Sequence, residues 1–97
     1  MPSFRVTAKA RDDLKSIGRY TQRRWGREQR NIYLVQLDEG FHVLARDPHK
    51  GRSCNDIREG YCKYRVGRHL IFYRELGGVI EIVRILHERM DVDTHLA

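Results

Sequence analysis

Apolar residues recur every three or four positions in the first half of the chain and at alternate positions in the second. Phe4-Arg5-Val6 reads as a short opening strand. From Thr7, whose hydroxyl can cap a helix, Ala10, Leu14, Ile17, Thr21 and Trp25 make one stripe of an amphipathic helix. Asp12 and Asp13 stand in its first turns and Arg19, Arg23 and Arg24 toward its end, the polarity a helix dipole favours. Gly26 breaks the run and marks a corner. A second stripe follows at Tyr33, Leu34, Leu37, Phe41, Leu44 and Ala45, stopping near Arg46 because Pro48 disfavours helix at Asp47. Two helices of about 18 residues, each ~27 Å long, make an antiparallel hairpin. Neither buries its stripe without a sheet to lie on.

The second half supplies the sheet. After a polar connection from His49 to Asp56, strands are expected over Tyr61–Val66, His69–Arg74 and Val79–Leu86. Gly67-Arg68 suits a two-residue turn, and Leu76-Gly77-Gly78 a longer one. Cys62, Tyr64 and Val66 alternate with Tyr61, Lys63 and Arg65, as in a sheet with one covered and one open face. The last strand is apolar on both faces, as a central strand would be, and the opening strand pairs with it or with an edge. The element order β-α-α-β-β-β describes an α+β fold, a helical hairpin packed on a small, mainly antiparallel sheet. Residues 1–97 are expected to form a single domain.

A chain of 97 residues supports one modest core. Apolar runs fall far short of a membrane span and the N-terminus carries no secretory pattern, so a cytoplasmic protein with no membrane partner is expected. Two cysteines, Cys54 and Cys62, are too few for a disulfide framework. Charge is more informative. Nineteen cations, most of them Arg, face thirteen anions, for a net charge of +6. Residues 1–50 carry eleven cations against six anions and residues 51–97 eight against seven, so the excess lies in the first half. Arg19, Arg23, Arg24, Arg27 and Arg30 form a field interrupted by Glu28 alone. Such a field suits an acidic partner, nucleic acid or protein, although a solvated helix face accounts for it equally well.

No metal or cofactor is expected. The five His and two Cys lack zinc-site spacing, and His87, Asp91 and His95 would share a face only if a short, frayed terminus were helical. Both cysteines read as bland, Cys62 on the covered face and Cys54 in the polar loop. The one candidate for chemistry is a basic sheet surface. Lys63 and Arg65 share a strand face, and Tyr73, Arg84 and His87 come from the next strands. These groups could hold a phosphodiester and move a proton, but Arg84 paired with Glu81, Glu59 or Glu75 is the simpler reading.

Specific strings point further. Leu14-Lys15-Ser16-Ile17, Tyr20-Thr21 with Trp25-Gly26, Gln29, Leu44-Ala45 with Pro48, and Gly51-Arg52 occur in order. They are followed by His69 with Ile71-Phe72-Tyr73, and by Ile82-Val83-Arg84-Ile85-Leu86-His87 with Met90-Asp91. From about residue 4 to 95 the chain resembles the ParE branch of the RelE/ParE superfamily, the toxin halves of type II toxin–antitoxin pairs that maintain a plasmid or chromosome.

The resemblance implies a toxin neutralised by a ParD-like antitoxin, whose C-terminal segment wraps the helical hairpin and sheet edge. Arg19, Arg23, Trp25, Tyr33 and Phe41 are then candidate antitoxin contacts, with core as the simpler reading of the three aromatics. The ParE branch is associated with inhibition of DNA gyrase, whereas RelE relatives cut messenger RNA on the ribosome with basic side chains and a C-terminal Tyr or His. Here no Tyr follows Tyr73, and the RelE-like set reduces to Arg65, Arg84 and His87. A non-catalytic gyrase inhibitor is expected, with Arg24, Arg27, Arg84, His87, Arg89 and Asp91 as candidate gyrase contacts. No specific DNA binding by this chain alone is expected. The alternatives are a RelE-like endoribonuclease and an antitoxin-binding module that has lost toxicity.

Overall fold

The computed structural model describes residues 3–96. Strand β1 (Phe4–Val6) and helices α1 (Ala8–Trp25) and α2 (Arg27–Arg46) precede β2 (Arg52–Ser53), β3 (Cys62–Val66), β4 (His69–Leu76), β5 (Val79–His87) and α3 (Val92–Leu96). The strands form one sheet in the order β1-β5-β4-β3-β2. β1 runs parallel to β5, and all other neighbours are antiparallel. The α+β architecture is the expected one, with two additions. The polar connection contributes β2, and the segment expected to fray forms α3. No described helix is long and apolar enough to cross a membrane.

The hairpin forms for local reasons. The Thr7 hydroxyl accepts from Ala10 N at 3.1 Å and donates to Val83 O at 2.9 Å, so one side chain caps α1 and ties it to β5. Gly26 stands at φ 98°, ψ 169°, a conformation open to glycine, and α2 begins at the next residue. Ala10, Ile17, Leu37, Phe41 and Leu44 pack on Ile71, Tyr73, Ile80, Ile82 and Ile85 of the sheet. Each fully buried Ile, Leu or Phe contributes roughly 1.5–3 kcal/mol.

The α1 stripe ends sooner than its periodicity suggests. Residues 22–29 are all exposed, because the hairpin corner runs past the sheet. Trp25, placed by its spacing on the core stripe, is instead 65% exposed.

The open sheet face is a second correction. Phe72, Leu86, Cys54, Tyr61 and Leu96 form another core, joined by Ile57, Leu70, Val83 and Val92. The 54–61 loop and α3 therefore cover the face expected to be bare. Burial pushes the Cys54 thiol pKa up, which suits an inert side chain.

Between them the two cores explain a bulge in β5. Phe72 faces Arg84 while Tyr73 faces Ile82, leaving Val83 as an extra residue. Ile80, Ile82 and Ile85 all reach the helix-covered core, and Val83 and Leu86 reach the other. The bulge frees Arg84 from the alternation and re-aims it. Tyr73 does not join Lys63 and Arg65. It is 1% exposed beneath the helices, where its hydroxyl donates to Pro48 O at 2.8 Å and accepts from Gly51 N at 3.0 Å. Burial pushes its pKa up to about 12.

Candidate functional site

Arg84 settles first what the basic sheet surface can do. Its Nε donates to Asp13 Oδ2 at 2.8 Å, one terminal nitrogen to Asp13 Oδ1 at 2.9 Å, and the other to His95 O at 2.9 Å. Asp13 Oδ2 also accepts from Ile85 N at 2.9 Å, taking up a β5 amide beyond the reach of β1. Asp13 thus serves as partner to a guanidinium and a sheet edge, rather than to the helix dipole. The expected partners of Arg84 were Glu81, Glu59 or Glu75. Glu81 instead binds Arg74 at 2.9 Å and Arg5 at 3.5 Å. The Asp13 hydrogen bonds push the Arg84 pKa further up, so it holds its proton firmly.

Arg65 is also engaged. It donates to Glu88, which Arg68 approaches at 3.5 Å, and the Arg65 bond holds the Glu88 carboxyl below its usual range. Arg84 therefore stands apart from the other two residues of the RelE-like set, while Arg65 and His87 both lie close to Glu88. Arg84 faces α1 and α3, Arg65 faces Glu88, and His87 lies in a groove at the other end of the hairpin.

That groove, of about 610 Å³, lies between the hairpin corner and the β3–β4 turn. Tyr20, Arg24, Trp25 and Tyr33 of the helices face Arg68 of the β3–β4 turn and His69 and His87 of the sheet across it. Tyr33 Oη lies 3.2 Å from Val66 O and 2.6 Å from His69 Nδ1, so the phenol joins the β3–β4 turn to the imidazole. Burial, with His87 beside it, holds the His69 pKa down to about 4. The two imidazoles meet edge to face with centroids 5.4 Å apart. His87 Nδ1 accepts from Arg89 N at 3.2 Å, which leaves Nε2 to carry the proton of the neutral ring. Gly67 closes the turn at φ 58°, and a Cβ there would lie 2.8 Å from the Tyr33 ring. Backbone conformation and close approach both demand glycine.

A second groove, of about 590 Å³, runs along the hairpin. Leu14, Leu34 and Phe41 make its floor, and Arg11, Lys15, Arg19 and Arg30 its rim, with Asp38 as the one acid. Arg30 is braced by Gln22 and by Asn31 Oδ1.

The candidate residues divide between these places. Arg19 stands on the hairpin rim, while Phe41, 2% exposed, presents only an edge of floor. Arg24, Trp25, Tyr33 and His87 share the corner groove, which mixes residues nominated for two different partners. Arg23 and Arg27 are exposed and line neither groove, and Arg89 is exposed beyond β5. Asp91 caps α3, accepting from Asp93 N and from the Thr94 hydroxyl at 2.8 Å. Tyr20, Arg68 and His69 join the corner groove without having been nominated as contacts, although Tyr20 and His69 stand in the strings that carry the family resemblance. Arg68 had only its place in the β3–β4 turn as a signal.

Comparison with known proteins decides the family. A model described as ParE toxin of type II toxin-antitoxin system, parDE, matches residues 4–92. This chain belongs to the ParE toxin family. Among its relatives, Toxin ParE1 of Mycobacterium tuberculosis is 42% identical over 94 residues, 96% of each chain. Toxin ParE1 of Caulobacter vibrioides is 35% identical over 96 residues, 99% of each chain. Toxin ParE of Escherichia coli is 35% identical, covering 100% of this chain and 95% of that one. The fold is shared with a chain of the chromosomal ParDE TA system from P. aeruginosa, at TM-score 0.77 and 22% identity, over 90% of this chain and 96% of that one. The ParE fold here therefore carries two basic grooves and a guanidinium, Arg84, given over to holding the fold together.

Proposed function

We propose that this ParE-family toxin inhibits DNA gyrase in the cytoplasm by binding it, without breaking bonds itself. A ParD-like antitoxin neutralises it by laying an acidic, amphipathic segment along the hairpin groove. One observation carries the non-catalytic part: Arg84, the cation a cleavage centre would need on the sheet, is bound on all three nitrogens to Asp13 and His95 O. Arg65 is paired with Glu88, and α3 with the 54–61 loop covers the sheet face on which substrate would lie. The antitoxin part is supported by the hairpin groove, where an apolar floor with four cations and one acid on its rim matches a segment that folds as it binds.

Purified toxin is expected to abolish supercoiling of relaxed plasmid by gyrase, or to accumulate cleaved plasmid, and added antitoxin to restore activity. Lys15→Glu with Arg19→Glu is expected to weaken antitoxin affinity while gyrase inhibition persists. Messenger RNA cut on ribosomes, with activity lost on His87→Ala and gyrase untouched, would overturn the proposal.

A further inference from the structure

The two grooves differ in chemistry. The hairpin groove has an aliphatic and aromatic floor; the corner groove has no Leu, Ile, Val or Met among its lining residues, and no carboxylate. Its walls are planar, with the Trp25 and Tyr20 rings, the two imidazoles and the guanidinium planes of Arg24 and Arg68. Trp25 and Tyr20 are 65% and 60% exposed, and the Arg24 guanidinium lies 5.4 Å from the indole centroid. An amphipathic helical segment lays a continuous apolar stripe into a hydrophobic groove, and the aliphatic floor for one lies in the hairpin groove. Flat, open rings beside two guanidiniums, Arg24 with no acid among the groove's lining residues and Arg68 sharing Glu88 with Arg65, instead match a ligand that alternates aromatic planes with phosphates. Arg68 has one competitor, Glu88, at 3.5 Å on an arm 71% exposed, so it can turn to a phosphate.

We propose that the corner groove binds single-stranded nucleic acid, stacking a base on Trp25 and holding the adjoining phosphates with Arg24 and Arg68. A duplex keeps its bases stacked inside and would offer the indole nothing to pair with. Recognition is sequence-tolerant, because stacking and phosphate contacts read no base edges. The site lies apart from the hairpin groove and stands whether or not gyrase is the cellular target.

Trp25 is the only tryptophan, so its fluorescence reports this groove directly. Titration with a ten-nucleotide oligothymidylate in low salt is expected to quench it. Fluorescence anisotropy of the same oligonucleotide, end-labelled, then compares variants whose folding is checked by circular dichroism. Trp25→Ala is expected to weaken binding about 5- to 100-fold, the range of one lost base stack. Arg24→Gln and Arg68→Gln should each reduce the slope of log affinity against log salt by about 0.7. Arg46→Gln, at the opposite end of α2, controls for net charge. Equal losses from Arg46→Gln and from the groove variants would overturn the proposal by reducing binding to bulk charge. Unchanged affinity in Trp25→Ala, equal binding of a blunt duplex, or equal quenching by an acidic peptide of matched charge would overturn it as well.

Discussion

The Asp13–Arg84 pair is where the fold and the proposed non-catalytic role depend on the same contacts. The two side chains are 14% and 16% exposed, and their two-pronged contact holds α1, the β5 bulge and α3 together. Removing one partner of such a pair strands the other charge away from water, at a cost of about 3–5 kcal/mol. Asp13→Asn keeps an oxygen for Ile85 N but leaves Arg84 uncompensated, and Arg84→Gln leaves the carboxylate. Residual exposure lets water relieve some of the penalty, so each single variant is expected to cost ~2–4 kcal/mol. For a chain this size that lowers the melting midpoint by roughly 10–25 °C. The double variant can restore a neutral amide pair, so its cost should fall at least ~1.5 kcal/mol short of the sum. Urea denaturation of the four proteins closes the cycle. Hydrogen exchange should also show α3 opening in Arg84→Gln, because His95 O loses its donor. Additive costs within ~0.5 kcal/mol, or single costs below ~1 kcal/mol, would refute the reasoning.

Tyr73→Phe removes the hydroxyl that joins Pro48 O to Gly51 N and should cost about 1–3 kcal/mol in denaturant melts. His69 titrates at about 4 in the fold, against ~6.5 in the unfolded chain, which therefore binds more protons between those values. Stability contributed by His69 is accordingly lost as pH falls from ~6.5 toward 4; the gap is worth ~3 kcal/mol unscreened and about 1–2 kcal/mol for a partly solvated ring. The stability difference between wild type and His69→Asn should shrink by that amount from pH 7 to 4.5. Gly67→Ala meets both a positive φ and the Tyr33 ring, and should cost ~1–3 kcal/mol and break the Tyr33–His69 contact, read from the His69 ring resonances.

The hairpin was legible because its signals are local: a Thr cap, a 3.6-residue stripe and a glycine corner. The three long strands were legible from alternation and their glycine turns, although Gly77-Gly78 makes a two-residue turn rather than a longer one. The bulge left a single trace, the three-residue step from Ile82 to Ile85 that switches the isoleucines from even to odd positions. Without it Arg84 falls on the sheet face, and an acid on a strand becomes the natural partner instead of Asp13, 71 residues away. The second core was hidden because Cys54, Ile57, Tyr61, Val92 and Leu96 are scattered through polar surroundings with no run long enough to mark an element. The stripe of α1 misplaced Trp25 because periodicity gives the face a side chain lies on, not where the sheet beneath it ends. The corner groove combines that overhang with a turn 40 residues on, a meeting that no local pattern encodes.

The central claim, a toxin that works by occupation rather than turnover, is tested most directly by the dose dependence of gyrase inhibition. With gyrase at fixed concentration well above the dissociation constant, lost supercoiling should rise linearly with toxin and saturate near one toxin per target site. Full inactivation by toxin a hundredfold below gyrase, or none at a hundredfold excess, would contradict it.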